Sequence, residues 1–226
     1  MTHYFAIDGP DGCGKSTLAR ALAAALQTTA GPALHVREPG STPMGEALRA
    51  LLLARGDTEW DPTSEALAFC AARNELLVRV VAPALAQGQV VVAERCYLST
   101  IAYQCMAPLA RAVDEEMLRR VTLEILEVAR PDVIFVLDLP LAVARDRLAR
   151  GDQLDRIESR PLEYHERVHA AMRSFASPSH WCNRVLYRRG DTVDRSRIVL
   201  LDATATPADL LARATAICRS ELGLSS

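Results

Sequence analysis

The sequence lacks the features that mark several classes of protein. Its six cysteines form no C-x-x-C pair and no repeated spacing, so we expect six reduced thiols. Only 11 glycines and 12 prolines occur in 226 residues, too few for a fibrous or low-complexity chain. A net charge of -2 argues against a protein that coats nucleic acid, and we expect no nucleic-acid partner.

Long apolar runs are absent as well. A membrane helix needs about 18 apolar residues in a row, and the best stretch, 133–143, is broken by Asp138 and Pro140. The first residues contain neither a basic segment nor a long apolar one, so no signal peptide is predicted. We therefore expect a cytoplasmic protein with no membrane partner.

The length and the composition fit one globular domain. At about 150 residues per domain, 226 residues predict a single domain, and such a chain buries enough surface to fold without disulfides or metal. Hydrophobic residues make up 50% and charged residues 24% of the chain, as in ordinary soluble proteins. We find no repeat and no long linker, so one domain over residues 1–226 is expected.

Apolar segments alternate with helical ones along the chain. The predicted strands are Tyr4–Ile7, Ala33–Arg37, Gln89–Ala93, Asp132–Leu137 and Arg197–Leu201. The predicted helices are Lys15–Gln27, Met44–Ala54, Ser64–Ala86 with a bend at Pro83, Asp114–Ala129, Leu141–Ala149, Pro161–Phe175 and Pro207–Glu221. This order predicts an α/β fold, a five-stranded parallel sheet with helices on both faces. Residues 177–196 are polar and weakly periodic, which indicates a surface loop or excursion.

The first strand and the first helix enclose a P-loop motif, GxxxxGK[ST], at Gly9–Ser16. Glycines let backbone N–H groups turn toward phosphate oxygens, and the helix N-terminus favours an anion. Lys15 would reach the β and γ phosphates, and the Ser16 hydroxyl would ligate Mg²⁺. The alternative is a plain glycine-rich turn. The motif predicts ATP as co-substrate and Mg²⁺ as cofactor, with the ATP site at Gly9, Pro10, Asp11, Gly12, Cys13, Gly14, Lys15, Ser16 and Thr17.

Charged residues follow two of the predicted strands. Arg37 ends the second strand before a Pro-Gly turn, which places it at the sheet edge where ligands bind in such folds. Glu94 and Arg95 follow the third strand; Glu94 suits Mg²⁺ or its water, and Arg95 suits a phosphate. The alternatives are a surface arginine beside a turn and an ion pair at a strand end.

Five arginines surround Gly151 and Asp152. They could form a mobile lid, over about residues 145–160, that closes on a transferring phosphoryl group. A charged helix face followed by a polar turn explains them equally well. The arginines are Arg145, Arg147, Arg150, Arg156 and Arg160.

A second motif, HExxH, occurs at His165–His169. On a helix the two histidines share a face and could bind zinc, with Glu166 as a base. A zinc site needs a third protein ligand, and the later acidic residues belong to no recognisable motif. We therefore interpret this motif as a solvated helix face and predict no protein-bound zinc.

Together these motifs resemble the thymidylate kinase family of P-loop nucleoside monophosphate kinases. The resemblance extends from Phe5 to about Thr206 and rests on five motifs in family order. They are Gly9–Thr17, Arg37–Thr42 with Gly45, Glu46 and Arg49, Phe69-x-x-x-Arg73, Glu94-Arg95-x-x-x-Ser99-Thr100-x-Ala102-Tyr103-Gln104, and Leu154–Glu158. It implies a P-loop NTPase fold with a lid, transfer of the ATP γ-phosphate to dTMP, small-molecule nucleotides as partners and a homodimer.

The resemblance also implies roles for matching residues. Phe69 would stack on thymine, Arg73 would bond the base, and Thr100 and Gln104 would read its far edge. Tyr103 would disfavour ribose, and Asp11 would contact the 3′-hydroxyl. Arg37 and Arg95 would hold the acceptor phosphate, with Ser99 in the same acceptor site. Some members carry an arginine at the position of Gly12; without it, the lid would supply a catalytic arginine, Arg150 or Arg156, beside the catalytic Lys15, Arg95 and Glu94.

Four positions depart from the usual family pattern. The family has Asp at Glu94, an aromatic residue at Cys96, and Gly at Ser41 and Cys105. Glu-Arg after this strand is also similar to deoxynucleoside kinases, whose acceptor is a 5′-hydroxyl and which need a base such as Glu94. A different pyrimidine nucleotide as acceptor, and a binding protein without turnover, are further alternatives.

Overall fold

The computed structural model describes residues 3–56, 60–150, 154–183, 187–189, 192–194 and 196–224. Five strands form one parallel sheet, namely β1 (Tyr4–Asp8), β2 (Ala33–Arg37), β3 (Val90–Glu94), β4 (Val133–Asp138) and β7 (Arg197–Asp202). Their order across the sheet is β2-β3-β1-β4-β7. Helices pack on both faces, so the predicted fold class is confirmed.

The helices flank the sheet along the whole chain. They are α1 (Lys15–Thr29), α2 (Pro43–Leu53), α3 (Pro62–Leu76), α4 (Ala82–Ala86), α5 (Tyr97–Thr100), α6 (Glu115–Leu126), α7 (Leu141–Leu148), α8 (Leu162–Ser174) and α9 (Pro207–Glu221). Among the described residues, we find no helix with the length and apolar character needed to cross a bilayer.

Alternation along β1 explains why the sheet has two cores. Phe5 and Ile7 point into a core with Leu22 of α1, whereas Tyr4 and Ala6 point into the opposite core. All four strand side chains are buried, because parallel strands covered on both faces have no solvent-facing side.

Side-chain caps and prolines fix several helix starts. Thr42 accepts from the Gly45 N–H at 2.9 Å with Pro43 at the first position of α2. Asp61 caps α3 in the same way before Pro62. These residues satisfy N–H groups that lack partners within the helix, and proline gives up no hydrogen bond there.

The long helix predicted from Ser64 to Ala86 is divided. A π-helical turn, Leu77–Val81, separates α3 from α4 and lies just before Pro83. Proline at this position cannot donate a backbone hydrogen bond, and its ring crowds the carbonyl four residues earlier. The wider π turn absorbs this crowding, so the break precedes the proline instead of falling on it.

Two regions differ from the expectation. Helix α5 continues into a π-helical segment, Ile101–Met106, for which no helix was predicted. Residues 177–196 were expected to form a loop or excursion, but they include a 3₁₀ turn and an antiparallel pair, β5 (Tyr187–Arg189) and β6 (Thr192–Asp194). These two strands have three residues each, too few to show the apolar alternation by which strands are recognised in a sequence.

Candidate active site

The P-loop joins β1 to α1 at the carboxyl edge of the sheet. Gly14 caps α1 with φ 95°, a left-handed conformation that favours glycine. Lys15 is buried, and its Nζ donates to the Pro10 carbonyl at 2.6 Å and lies 3.7 Å from Asp11 Oδ1. The loop thereby holds its lysine among acceptor atoms, where a phosphate oxygen can replace them.

Gly12 has no room for a side chain. A Cβ at this position would lie 2.4 Å from the carbonyl oxygen of Ala144 in α7, and φ is 77°. The arginine that some family members carry here would therefore require α7 to move. Close packing of the P-loop on α7 explains why the sequence has glycine at this position.

Ser16 and Glu94 bring two oxygen groups together beside the P-loop. The Ser16 hydroxyl donates to Glu94 Oε1 at 2.5 Å, from the first turn of α1 to the end of β3. Hydroxyl and carboxylate oxygens suit a hard divalent cation. In the described part of the chain, no group of three histidine, cysteine or acidic residues is arranged to hold a metal ion.

Arg95 has an unusual backbone conformation. Its φ is 73°, uncommon for a residue other than glycine and found mainly at functional sites. The Arg95 N–H donates to the Ile7 carbonyl at 2.8 Å, and the next N–H, of Cys96, donates to buried Asp8 at 3.1 Å. Asp8 also accepts from the N–H of Ser99. The β1 carboxylate thus turns the chain after β3 and aims Arg95.

The Arg95 side chain lies in a network of polar groups. Its Nη2 donates to Asp11 Oδ1, and its Nη1 donates to the Ser99 hydroxyl at 2.9 Å. The Tyr103 hydroxyl donates to the other Asp11 oxygen at 2.7 Å, and Arg95 also lies over the Tyr103 ring. Burial opposes ionisation of Asp11, but the positive charges of Arg95 and Lys15 hold its pKa well below the usual range.

Arg73 and Glu38 form a buried ion pair at the other end of the site. Arg73 Nε donates to Glu38 Oε2 at 2.6 Å, and Nη2 donates to the Cys96 carbonyl at 3.0 Å. Burial raises the pKa of Glu38 although Arg73 opposes the shift. Because Glu38 and Cys96 bind two of its nitrogens, Arg73 is fixed before any ligand arrives.

These groups line one cavity of about 390 Å³. Its walls contain P-loop residues, strand-end residues and residues of α2, α3, α5, the π-helical segment after α5 and the segment 155–158. The predicted site residues among them are Asp11, Gly12, Gly14, Lys15, Ser16, Thr17, Phe69, Arg73, Glu94, Arg95, Ser99, Thr100, Tyr103 and Gln104. Most of the predicted donor and acceptor residues therefore meet in one space. The predicted site residues outside its lining are Gly9, Pro10, Cys13, Arg37, Arg150 and Arg156.

Arg37 is paired before it can reach a ligand. Its Nη2 donates to Glu46 Oε2 at 2.7 Å, and its side chain is 42% exposed. Arg49, one turn after Glu46 on α2, lines the cavity instead. Burial and the nearby charges of Arg37 and Arg95 lower the pKa of Arg49, so three guanidinium groups lie near one another.

The two lid arginines proposed from the sequence lie in different places. Arg150 is exposed beyond the end of α7. Arg156 instead donates to Glu65 at 2.6 Å and to the Leu52 carbonyl at 2.9 Å. Arg147, on α7, reaches the Gly12 carbonyl at 3.5 Å. The predicted lid also includes residues 151–153, which lie outside the described residues.

Two of the departures from the family pattern have a local explanation. Ser41 has φ 63°, a conformation that glycine adopts more easily, and its N–H donates to Glu46 Oε1 at 2.7 Å. Cys96 is buried with Sγ 3.3 Å from Asp8 Oδ2. Its thiol faces β1 and is absent from the described cavity lining.

The two HExxH histidines lie one turn apart on α8. His165 and His169 line a second cavity, of about 500 Å³, between α7 and α8. His165 Nε2 is 3.2 Å from the Glu158 carbonyl, and burial lowers the pKa of His169. Within the described residues, no group of three potential metal ligands forms there.

Sequence reasoning missed several residues of the cavity wall. Arg49 was noted only as part of a motif, although its spacing of three from Glu46 places both on one helix face. Glu38, Asp155 and Glu158 also line the cavity. All three fall within motifs quoted above, but no role was assigned to them, because their places in the wall depend on packing between distant segments.

Comparison with known proteins agrees with this geometry. The family model described as thymidylate kinase matches residues 7–186. A thymidylate kinase of Cereibacter sphaeroides is 41% identical over 94% of this chain and 92% of its own. Those of a Roseiflexus species and a Synechococcus species are 38% and 34% identical, covering 84% and 99% of this chain and 88% and 97% of their own. The chain belongs to the thymidylate kinase family.

Proposed function

We propose that this protein transfers the γ-phosphoryl group of ATP to dTMP, giving dTDP and ADP. The observation that carries the proposal is the cavity in which the P-loop and a set of base-reading side chains face one space. Family membership supports the same reaction. Positioning two nucleotides in one water-poor space accounts for most of the rate that phosphoryl transfer needs.

The P-loop end of the cavity would bind ATP. Lys15 is held by the Pro10 carbonyl and lies close to Asp11, and a β or γ phosphate would take the place of these acceptors. The start of α1 adds unpaired N–H groups and the positive end of its dipole. Backbone and lysine together favour a polyanion at this end.

Ser16 and Glu94 would hold Mg²⁺ here. They supply two oxygen ligands within hydrogen-bonding distance of each other, and phosphate and water would supply the rest. When bound, the cation neutralises charge on the β and γ phosphates. Glu94 then serves as a ligand, and no general base is required, since the acceptor is already a phosphate oxygen.

Arg95 would bind the acceptor phosphate. Its backbone is fixed by Asp8 and its guanidinium by Asp11, so the side chain is pre-positioned at the cavity wall. Arg49 adds a second guanidinium to the same wall. We propose that Arg37, now bound to Glu46, contributes charge near this position.

The opposite end would bind the thymine ring and the sugar. Phe69 offers an aromatic face for stacking, and Arg73 offers a donor to a carbonyl of the base. Gln104 and Thr100 lie in the same wall. Tyr103 and Asp11, joined by a hydrogen bond of 2.7 Å, would lie beside the sugar, where bulk disfavours a 2′-hydroxyl.

Residues at about 145–160 would act as the lid within one domain. Arg147 already contacts the P-loop, and Arg150 is exposed at the end of α7, so both can approach a transferring phosphoryl group. Arg156 would do so only by leaving Glu65. Closure would exclude water and suppress hydrolysis of ATP.

We also propose a homodimer. Leu51, Leu67 and Val78 are large apolar residues exposed on α2, on α3 and in the turn that follows α3. A second copy could cover these exposed apolar side chains. Six free thiols, five of them buried, are consistent with a reducing compartment such as the cytoplasm.

An acceptor panel tests the reaction. ADP release is measured with Mg·ATP and dTMP, dUMP, UMP, dCMP, thymidine or no acceptor. We expect dTMP to give the highest kcat/KM. Preference for thymidine would indicate a deoxynucleoside kinase, and absence of turnover with every acceptor would indicate a binding protein.

A further inference from the structure

Glu65 is a buried carboxylate behind the base-binding end of the cavity. It lies on α3 one helical turn before Phe69, and it is 3% exposed. Burying an ionised carboxylate is costly unless strong donors surround it. The proposed phosphoryl transfer does not use this residue, so its partners must explain its presence.

Three side chains donate to the Glu65 carboxylate. Gln104 Nε2 donates to Oε1 at 2.9 Å, Arg156 Nη2 donates to Oε2 at 2.6 Å, and Arg160 Nη2 donates to Oε2 at 2.8 Å. Burial opposes ionisation, but the charge of Arg160 and the hydrogen bonds from Gln104 and Arg156 lower the pKa of Glu65. The group is therefore a carboxylate at neutral pH and can only accept hydrogen bonds.

An acceptor-only neighbour decides the orientation of the Gln104 amide. Its NH₂ group must point to Glu65, which leaves the carbonyl oxygen as the polar atom available to the cavity that Gln104 lines. Thymine carries an N–H at N3, which this oxygen can accept. Cytosine carries a lone pair at N3, which the oxygen repels.

The backbone beside Gln104 is held as well. Arg160 also donates to the Tyr164 hydroxyl at 2.6 Å, and that hydroxyl donates to the Tyr103 carbonyl at 2.7 Å. One cluster of contacts thus fixes both the backbone and the side-chain amide at this point.

We propose that Glu65 is a positioning residue that sets base specificity by holding the Gln104 carbonyl toward the base. The inference rests on the proposed function, since it concerns the same acceptor site. Arg156 and Arg160 serve it by keeping Glu65 charged. Base selection then depends on Glu65, which acts on the nucleotide through Gln104.

The test is Glu65→Gln, assayed with dTMP and with dCMP. A glutamine side chain both donates and accepts, so the Gln104 amide can adopt either orientation. We expect the ratio of kcat/KM for dTMP to that for dCMP to fall by about tenfold or more. The change should come from KM, with kcat for dTMP and KM for ATP nearly unchanged. Arg73 is the same in both proteins, so a change in the ratio measures the contact between Gln104 and the base.

Matched variants separate positioning from general damage. Glu163→Gln removes an exposed pair with Arg167 and should leave the ratio unchanged. Glu65→Asp keeps an acceptor-only charge and should hold the ratio within about threefold of wild type. In a Gln104→Ala background, Glu65→Gln should change the ratio little further, because the group it orients is gone.

Different results would contradict the role of Glu65 and the proposed dTMP kinase activity. A folded Glu65→Gln protein with the wild-type ratio would overturn the inference while leaving dTMP kinase activity in place. A wild-type protein that does not phosphorylate dTMP would overturn the function itself. If Glu65→Gln does not fold, Glu65→Asp decides, and failure of both to fold would assign Glu65 to stability alone and overturn the inference.

Discussion

The Arg95 guanidinium donates to the Asp11 carboxylate and so connects the end of β3 to the P-loop. Both side chains lie mostly out of solvent, 19% and 11% exposed, and Tyr103 bonds the second Asp11 oxygen. The pair holds the proposed acceptor-binding arginine against the proposed ATP-binding loop. If two nucleotides bind at these elements, their phosphates would therefore lie next to each other.

The Asp11–Arg95 pair predicts a pH-dependent stability. The folded-state pKa of Asp11 is depressed, so its charged form stabilises the fold above the ordinary pKa of about 4 and this stabilisation is lost as pH falls below that value. Asp11→Asn should lower the unfolding temperature at pH 7, and the difference from wild type should shrink toward pH 3.

Thermal unfolding over a pH series measures this effect. Asp146→Asn, at an exposed position of α7, is the control and should follow wild type at every pH. A difference between Asp11→Asn and wild type that stays constant from pH 7 to pH 3 would contradict the role assigned to the charge pair.

Lys15→Ala should abolish phosphoryl transfer while the protein remains folded. The reason is that we propose this lysine as the positive charge beside the β and γ phosphates of ATP. ADP release in the presence of dTMP measures the loss, and thermal unfolding checks the fold. Near wild-type turnover in the folded variant would sink the kinase proposal.

Chemical labelling provides an independent test of Lys15. Lys15 is the single lysine of the chain, so an amine-directed reagent has one side-chain target. Mg·ATP should protect Lys15 from acylation, as read by mass spectrometry of the corresponding peptide. Thymidine alone should not protect, and equal labelling with and without Mg·ATP would place the phosphates elsewhere.

Much of the fold was predictable because its signals are local. The strands before Gly9 and before Glu94 are apolar runs, and Gly9 and Pro10 mark where the first of them ends. The family was recognisable from the motifs at Arg37–Thr42 and Phe69–Arg73, and the comparisons confirm it. The roles of individual site residues stay predictions.

The ion pairs of Arg156 and Arg37 were not predictable, because they depend on how separate elements pack together. Arg156 was one of two candidates, with Arg150, for the catalytic lid arginine, yet it contacts Glu65, 91 residues earlier. Arg37 was expected on the acceptor phosphate, yet it pairs with Glu46 nine residues later. Both positions depend on how α2, α3 and the segment after α7 pack together. Hydrophobic periodicity in the sequence does not predict that packing.

Removal of Mg²⁺ should stop turnover, whereas a zinc-selective chelator should not affect it. Ser16 and Glu94 offer oxygen ligands for a hard cation, while His165 and His169 gather no third ligand among the described residues. Activity is measured after each treatment and after Mg²⁺ is restored. Stoichiometric zinc in the purified protein would contradict this expectation.

Arg95→Ala should weaken use of the acceptor and not of ATP. Loss of a charge-assisted contact costs about 2–3 kcal/mol, or about 30- to 150-fold in kcat/KM for dTMP. Steady-state kinetics should show an almost unchanged KM for ATP. Arg111→Ala, which removes an exposed pair with Asp61, is the matched control and should behave as wild type.

The most direct test gives the wild-type protein dTMP and thymidine together, at equal concentrations, with Mg·ATP labelled at the γ-phosphate. Separation of the products shows which acceptor received the label. The account predicts labelled dTDP in excess, because Arg95 and Arg49 line the cavity and are proposed to bind a phosphate that dTMP has and thymidine lacks. Labelled dTMP without dTDP would contradict it.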